Sequence, residues 1–391
     1  MSIVIFGDLF SFPDGKAATN RVYTYAKGFI ENGIDVHVIC FNNDYIDEPN
    51  GTVDGMYYYN PFGQKVRSKN FFVRRYQKLK KYSNTYSVFK KINKESKIIA
   101  INRWSDTLLT QVYAWILSRI FRTIIITECN EHPLRYVKNN FFDRRRGNLK
   151  FYIDSWLSDG ILCISRYLID FHVKRSIKPE KLFLVPSTVD PGRFNNIYQK
   201  PIEGPYIGYF GSLTFRRDNI DLLINAFSVF SKHHPDVLLT LGGFCTEQEL
   251  LKIRKLIEEL QINDKVKIIQ YLTRNQIVQY ISNADVLVMV RAKDMESDAS
   301  YPSKLAEFLA TGKPVISVNV GEVSDYLKDG ENSFLIEPGN VAELVNKLEY
   351  IFANYEQAKE IGRKGKLLTA EAFNYSHQAK RTIGFIQSLR K

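Results

Sequence analysis

Short apolar runs alternate with longer amphipathic segments along the whole chain. In the first half SIVIF is followed by a helical pattern from about Thr19 to Asn32 and then by DVHVICF, with KIIAIN, RTIIITE, DGILCIS and KLFLVP further on. Runs of this kind, barely interrupted by polar residues, suit strands covered on both faces, and their alternation with helices predicts a parallel sheet with crossover helices. A second series starts at YIGYFG. It continues through NIDLLINAFSVFSKHH, VLLTLGG, a helix near 247–261, KVKIIQY, a helix near 274–283, DVLVMV, a helix opening at Pro302, PVISV and FLIEP. The expected fold class is therefore α/β, with two doubly wound, Rossmann-like domains. A length of 391 residues agrees with this, since it is long for one core and fits two domains of about 150–200 residues. The proline- and glycine-bearing stretch QKPIEGPY, 198–205, divides a first domain, 1–200, from a second, 201–372. Ligands are expected in a central cleft faced by the carboxyl ends of both sheets.

The segment YPSKLAEFLATGKPVISV, 301–318, narrows the chemistry. Proline suits the first helical position, so the helix is expected to open at Pro302. The first N–H groups of a helix lack intrahelical partners and the dipole is positive there. A phosphate is welcome at such a start, and Ser303 and Lys304 add a hydroxyl and a charge. Ser303 and Glu307 share a face. A ligand whose phosphates meet Ser303 can offer ribose hydroxyls to Glu307 one turn on, roughly 6 Å away. The plain alternative is a surface pair of Lys304 with Glu307. Against it stands the context, because Gly312 ends the helix, Pro314 prevents its resumption and PVISV follows as a buried strand.

These residues carry a family resemblance. PSKLAEFLATGKPVI, with ADVLVMV upstream and GENSFLIEPGN downstream, closely resembles the C-terminal half of retaining GT-B glycosyltransferases of family four, in the branch with P-S-K-x-x-E. FPDGKAATNRVYTYAKGFIENGIDVHVI, ECNEHP, DGILCISRYL, LVPSTVDPGRF and YIGYFGSLTFRRDNIDLLINAF extend it over nearly the whole chain. The resemblance implies a GT-B fold whose last helix, from about 373, packs back on the first domain. It also implies transfer of a sugar from a nucleoside diphosphate donor with retention, by a hexosyltransferase-type enzyme that needs no metal. The donor, a UDP- or GDP-sugar, is a substrate, so no cofactor is expected.

In such enzymes an Arg and a Lys after the first strand of the second domain face the diphosphate. Here that loop reads GSLTFRRDN. Arg217 matches the Lys, Ser212 stands near the Arg position, and Arg216 or Lys304 is left to supply the missing cation. Arg216 and Arg217 also fit a solvent-exposed loop pair. Eight positions before Glu307 the family's other glutamate is replaced by Ala299. Backbone N–H groups of the loop 297–301, with Ser300 and Tyr301, are expected to take over its contacts. Tyr271 and Leu272 match the segment whose main chain meets the base. Gly243, at the end of a strand, lets backbone lie beside the nucleotide, and Gly15 lets the first βα loop approach the diphosphate or acceptor; a plain turn glycine is the other reading of Gly15. Glu128, Glu131 and His132 follow the strand RTIIIT and are expected at the mouth of the first sheet. Glu131 is the candidate proton acceptor, with pairing to an arginine as its structural alternative; His132 fits a packed loop residue equally well. The acids of DMESD, 294–298, read as solvated rather than as a metal site.

Composition sets outer limits. With 45% hydrophobic and 25% charged residues the chain is an ordinary globular one. The opening MSIVIFGDLFSFPDG lacks a basic leader and reads as a first strand. Segment 107–127, interrupted by Arg119 and Arg122, reads as a helix and a strand rather than a membrane span. Cys40, Cys129, Cys163 and Cys245 have no metal-like spacing and fit reduced core residues of a cytoplasmic protein. The net charge of +12 comes entirely from the first half, where residues 65–103 hold thirteen Lys and Arg against the single acid Glu95, interleaved with aromatics. Three readings compete for that stretch: a solvated helical surface, a face for anionic lipid or a lipid-phosphate acceptor, and nucleic-acid binding. Nucleic acid is the weakest, because no recognisable binding module accompanies the charge.

The favoured expectation is a cytoplasmic enzyme, peripheral on the inner face of the plasma membrane, that builds surface glycan on a lipid-linked acceptor. A non-catalytic nucleotide-sugar-binding protein and a sugar-nucleotide epimerase are the alternatives.

Overall fold

The computed structural model describes residues 1–15, 17–135, 137, 140–196 and 198–390. They form two compact units, Met1–Thr188 with Tyr375 onward, and Val189–Asn374. The division, at 188/189, falls twelve residues before the one expected at 200/201. Segment 189–196 lies with the second unit because it packs there: Val189 N donates to the Phe373 carbonyl at 2.9 Å.

In the first unit the order is β1 (Ser2–Gly7), α1 (Ala17–Glu31), β2 (Asp35–Cys40), β3 (Asn50–Val53), β4 (Met56–Tyr59), α2 (Phe71–Glu95), β5 (Ile98–Trp104), α3 (Leu108–Ile120), β6 (Ile124–Cys129), α4 (Phe141–Trp156), β7 (Gly160–Cys163), α5 (Arg166–Val173) and β8 (Leu182–Leu184). Its sheet runs β3-β4-β2-β1-β5-β6-β7-β8 and is parallel except for the β3–β4 hairpin. That hairpin was not anticipated, although its turn, Asp54-Gly55 with φ of 45° and 80°, is the dipeptide that a tight two-residue connection demands. Alternate residues of β1 serve opposite faces. Ile3 and Ile5 join α1 in one core, while Val4 and Phe6 meet Phe89 and Ile92 of α2 and Ala114 and Leu117 of α3 in another.

The second unit contains β9 (Tyr206–Phe210), α6 (Ile220–Phe230), β10 (Leu238–Gly242), α7 (Glu247–Glu259), β11 (Val266–Ile269), α8 (Arg274–Asn283), β12 (Val286–Met289), α9 (Met295–Ala299), α10 (Ser303–Ala310), β13 (Val315–Val318), α11 (Val323–Tyr326), β14 (Phe334–Ile336), α12 (Val341–Ala353) and α13 (Tyr355–Ala370). Its sheet, β11-β10-β9-β12-β13-β14, is wholly parallel. The order reverses at β9, which puts a topological switch point between the loops that follow β9 and β12. The last helix, α14 (Tyr375–Ser388), belongs to the first unit and lies on α1. Gly28 permits that contact, since a Cβ there would lie 2.6 Å from the Tyr375 carbonyl oxygen.

Among the described residues no helix is long and apolar enough to cross a membrane. All four cysteines are free thiols, and Cys40, Cys163 and Cys245 are buried.

Candidate active site

In the second unit the functional side chains gather at the carboxyl ends of β9, β12 and the start of α10. The helix begins one residue later than expected: Pro302 is the N-cap, with φ −63° and ψ 108°, and Ser303 is the first helical residue. No side chain caps it. Its leading N–H groups thus retain capacity for an anion, and the half-buried Ser303 hydroxyl sits beside them. Gly312, at φ +73°, closes the C-terminus as a left-handed residue.

Lys304 reaches back from α10 to the end of β9. Its ammonium donates to Tyr209 Oη at 3.1 Å and stands 3.5 Å from Asp218 Oδ1. Gly211 makes room for it, because a Cβ at 211 would lie 1.8 Å from Lys304 Nζ. Burial lowers the Lys304 pKa, and Asp218 opposes that while Arg291 and Arg217 add to it. Arg217 is half exposed, 3.9 Å from Glu296 Oε2, and its carbonyl accepts from Ala292 N at 3.1 Å, tying the β9 loop to the end of β12. Ser212 and Arg216 are exposed on the same loop, where the Ser212 carbonyl accepts from Tyr209 Oη at 3.0 Å.

A further cation at this edge, not picked out in the sequence, is Arg291. This residue directly follows the apolar run of β12 and is 9% exposed. Its guanidinium donates to Ser297 Oγ at 2.9 Å and Ser300 Oγ at 3.0 Å. Burial lowers its pKa, as does the nearby Arg217. An arginine ending a buried strand at the carboxyl edge was the available signal. Ser300 is held between Arg291 and the Glu296 carbonyl, to which its hydroxyl donates at 2.7 Å.

Three expectations for 294–301 change. The segment 295–299 is the short helix α9 rather than a loop, and the N–H groups of Ser297, Asp298 and Ser300 are taken by Asp294 Oδ1, the Asp294 carbonyl and the Ser297 carbonyl. Those three groups cannot replace a missing carboxylate without unwinding the turn. Tyr301 turns inward, its ring 5.4 Å from Tyr326 and 5.1 Å from Phe373, so the side chain anchors α10. Asp294 caps α9, and among the described residues no group of three His, Cys, Asp or Glu could hold a metal ion.

Glu307 faces Arg193, with Oε1 3.4 Å from NH1, and Arg193 NH2 donates to the Arg274 carbonyl at 2.9 Å. Burial raises the Glu307 pKa, while Arg193, Arg274 and Lys304 pull it down. Neither arginine was picked out in the sequence. They come from the turn 191–194 and the first residue of α8, which only folding brings to α10.

The glycine at 243 has a local structural task. At φ +140° its absent Cβ would lie 1.7 Å from the Gly211 carbonyl oxygen, so it permits the ends of β9 and β10 to close on each other. Tyr271, at φ 58°, is exposed with its ring 6.3 Å from Phe244, and Leu272 Cδ1 would lie 3.0 Å from a Cβ at Gly242. These residues line the edge at β10 and β11, on the other flank of β9 from Arg291.

The first unit holds the remaining candidates. Glu131, after β6, is paired with Arg135, whose NH2 donates to Asp106 Oδ2 at 2.9 Å. Its side chain is 33% exposed. Glu128 is not at the mouth: it is buried, 3.5 Å from Arg21 Nε, and accepts from Asn102 Nδ2 at 3.2 Å. Burial raises its pKa despite Arg21. Arg21 also donates to the carbonyls of Val185 and Pro186, both at 2.8 Å, so this pair ties strand ends together. His132 is buried against Phe171, 4.5 Å between ring centres, and its Nδ1 accepts from Leu134 N at 3.2 Å. Burial, assisted by Arg175 and His172, pushes its pKa down to about 4. Gly15 is required locally, since a Cβ would lie 2.1 Å from Thr19 Oγ1, which donates to the Ser11 carbonyl at 2.6 Å.

Two doubly wound units, the second with a cationic cluster at its switch point, define an α/β protein of GT-B fold. Residues 193–368, which lie within the second unit, match the model of the family Glycosyl transferases group 1. An uncharacterized glycosyltransferase of Haemophilus influenzae is 26% identical over 158 residues, which cover 40% of this chain and 42% of that protein. The chain spans less than half the length of the first curated relatives it matches. Among solved structures, a glycosyltransferase from Rickettsia africae superposes with a TM-score of 0.71 at 15% identity, covering 100% of this chain and 98% of that one. Anabaena HepE, solved in complex with UDP-glucose, gives 0.68 at 14% identity, covering 99% of this chain and 100% of that one. At these identities the structural likeness speaks for the fold.

Proposed function

We propose that this protein transfers a hexose from a nucleoside-diphosphate sugar to an acceptor hydroxyl with retention of configuration, without a metal. The observation that carries the reading is the uncapped start of α10 beside Lys304, Arg217 and Arg291. Leaving-group charge on a diphosphate is the main electrostatic demand of such a transfer, and preorganised cations with free helix N–H groups meet it. Ser303 and the first N–H groups of α10 hold the phosphates, and Lys304 and Arg217 stabilise the leaving charge. Glu307, already desolvated, accepts the ribose hydroxyls, and the backbone at Tyr271 and Leu272 receives the base. Glu131 takes the proton of the acceptor hydroxyl late in the displacement. The acceptor is a lipid-linked glycan at the cytoplasmic face of a membrane, in surface polysaccharide synthesis.

A thermal-shift panel of UDP- and GDP-sugars tests this. A true donor raises Tm by mass action, and Glu307→Ala abolishes the shift; a panel without any shift overturns the reading. A non-catalytic nucleotide-sugar binder, suggested by Ser212 and Ala299, would give the shift but release no free nucleoside diphosphate.

A further inference from the structure

Two helices of the first unit begin with the same sequence pattern: Asn70-Phe71-Phe72-Val73-Arg74-Arg75 and Asn140-Phe141-Phe142-Asp143-Arg144-Arg145-Arg146. In each the asparagine is the N-cap, Asn70 accepting from the N–H groups of Phe72 and Val73 and Asn140 from that of Asp143. In each the two phenylalanine rings stand edge to face, 5.7 Å apart at 81°. All four rings project into solvent, Phe72 at 79% and Phe142 at 76% exposure.

The two starts lie on one rim. Helix α3 separates α2 from α4, with Tyr82 of α2 4.8 Å from Tyr113 of α3 and Trp115 of α3 5.7 Å from Trp156 of α4. Each of the three helices leads directly into a parallel strand, β5, β6 or β7, so each runs antiparallel to the sheet and starts at its carboxyl edge. The start of α3 carries an exposed apolar pair as well, Leu108-Leu109. Neighbouring helices pack about 8–10 Å apart, so three apolar doublets stand in a row roughly 20 Å long.

Lys and Arg frame the row. The first ten residues of α2 hold Arg74, Arg75, Lys78 and Lys80 with no acid, and the first ten of α4 hold Arg144, Arg145, Arg146 and Lys150 against Asp143. The apolar exposure continues along one face of α2 through Tyr76 and Leu79 and along α4 through Leu149 and Tyr152. Burial does not explain these side chains, because all of them are exposed and none belongs to the two cores described above.

We propose that this rim is a docking surface for an anionic phospholipid bilayer, with the phenylalanine and leucine doublets inserted at the interface and the flanking cations on lipid phosphates. Aromatic rings at headgroup depth and several bases near a negative surface are the two contributions that together hold a peripheral protein. The rim also borders the loop after β6 that carries Glu131, which suits an acceptor presented from a bilayer; in that respect the proposal rests on the transferase reading above. Bases without exposed rings would fit nucleic acid as well. Paired rings at each helix start favour the bilayer.

Sedimentation of the full chain with vesicles tests it, using phosphatidylcholine alone and phosphatidylcholine mixed with phosphatidylglycerol. Binding is expected to the mixed vesicles and to fall at least about tenfold on the neutral ones, and a similar loss is expected for Phe72→Ser with Phe142→Ser, and for Arg75→Gln with Arg145→Gln. These residues are exposed, so the Tm of the variants and their response to a nucleotide sugar remain unchanged. Undiminished sedimentation of both variants overturns the proposal. So does tighter binding to duplex nucleic acid than to anionic vesicles. A chain that sediments with anionic vesicles but responds to no nucleotide sugar supports the docking surface while removing the transferase reading.

Discussion

The carboxyl edges of the two sheets are built from different material. In the second unit the edge at β9 and β12 concentrates buried or half-buried cations, Lys304, Arg291 and Arg217, around Asp218. Along the first sheet the corresponding edge hides its charges in pairs, as with Arg21 and Glu128, and leaves rings and solvated bases outside. A buried cation has lost its hydration and gains strongly from an incoming diphosphate. An exposed base gains only from an extended anionic surface. On the two proposals above, one unit holds a small charged ligand and the other meets a large one.

The sharpest way to break this contrast is Lys304→Ala. Removing a preorganised donor from a developing negative charge is expected to lower kcat/KM for transfer about 100- to 1,000-fold. A loss of less than about tenfold would take Lys304 out of the chemistry. Next in size is Glu131→Gln, expected to slow transfer at least about tenfold while the Tm response to donor stays intact, because the donor contacts lie in the other unit. Unchanged transfer would leave Glu131 as a partner of Arg135 only.

A third test concerns stability rather than transfer. His132 is neutral in the folded chain down to about pH 4, whereas the unfolded chain takes up a proton near pH 6.5. Stability contributed by the neutral ring is present above pH 6.5 and declines as pH falls from there to about 4, by up to about 3 kcal/mol. Denaturant titrations should show that slope in the native chain and its loss in His132→Phe. An identical slope in both would mean that the ring titrates freely at the surface.

The apolar runs by themselves determined the parallel strands of both sheets other than β4, because a strand covered on both faces leaves an unbroken hydrophobic stretch in the sequence. The motif from Tyr301 to Gly312 likewise fixed a helix start with Lys304 and Glu307 on it, since those residues lie within one or two turns of each other. The partners did not follow. Arg193 and Arg274 reach Glu307, and Arg291 comes near Lys304, through loops from separate elements, and no local spacing encodes such a meeting. The inward turn of Tyr301 was equally illegible, because a tyrosine before a proline reads the same whether Tyr326 and Phe373 receive it or solvent does. Gly243 was noticed in the sequence for its conformational freedom, but its close approach to Gly211 is visible only at the folded sheet edge. Local chemistry is carried by short-range pattern, whereas the charge balance of a site is a sum over residues that only the packed sheet edge brings within a few ångströms.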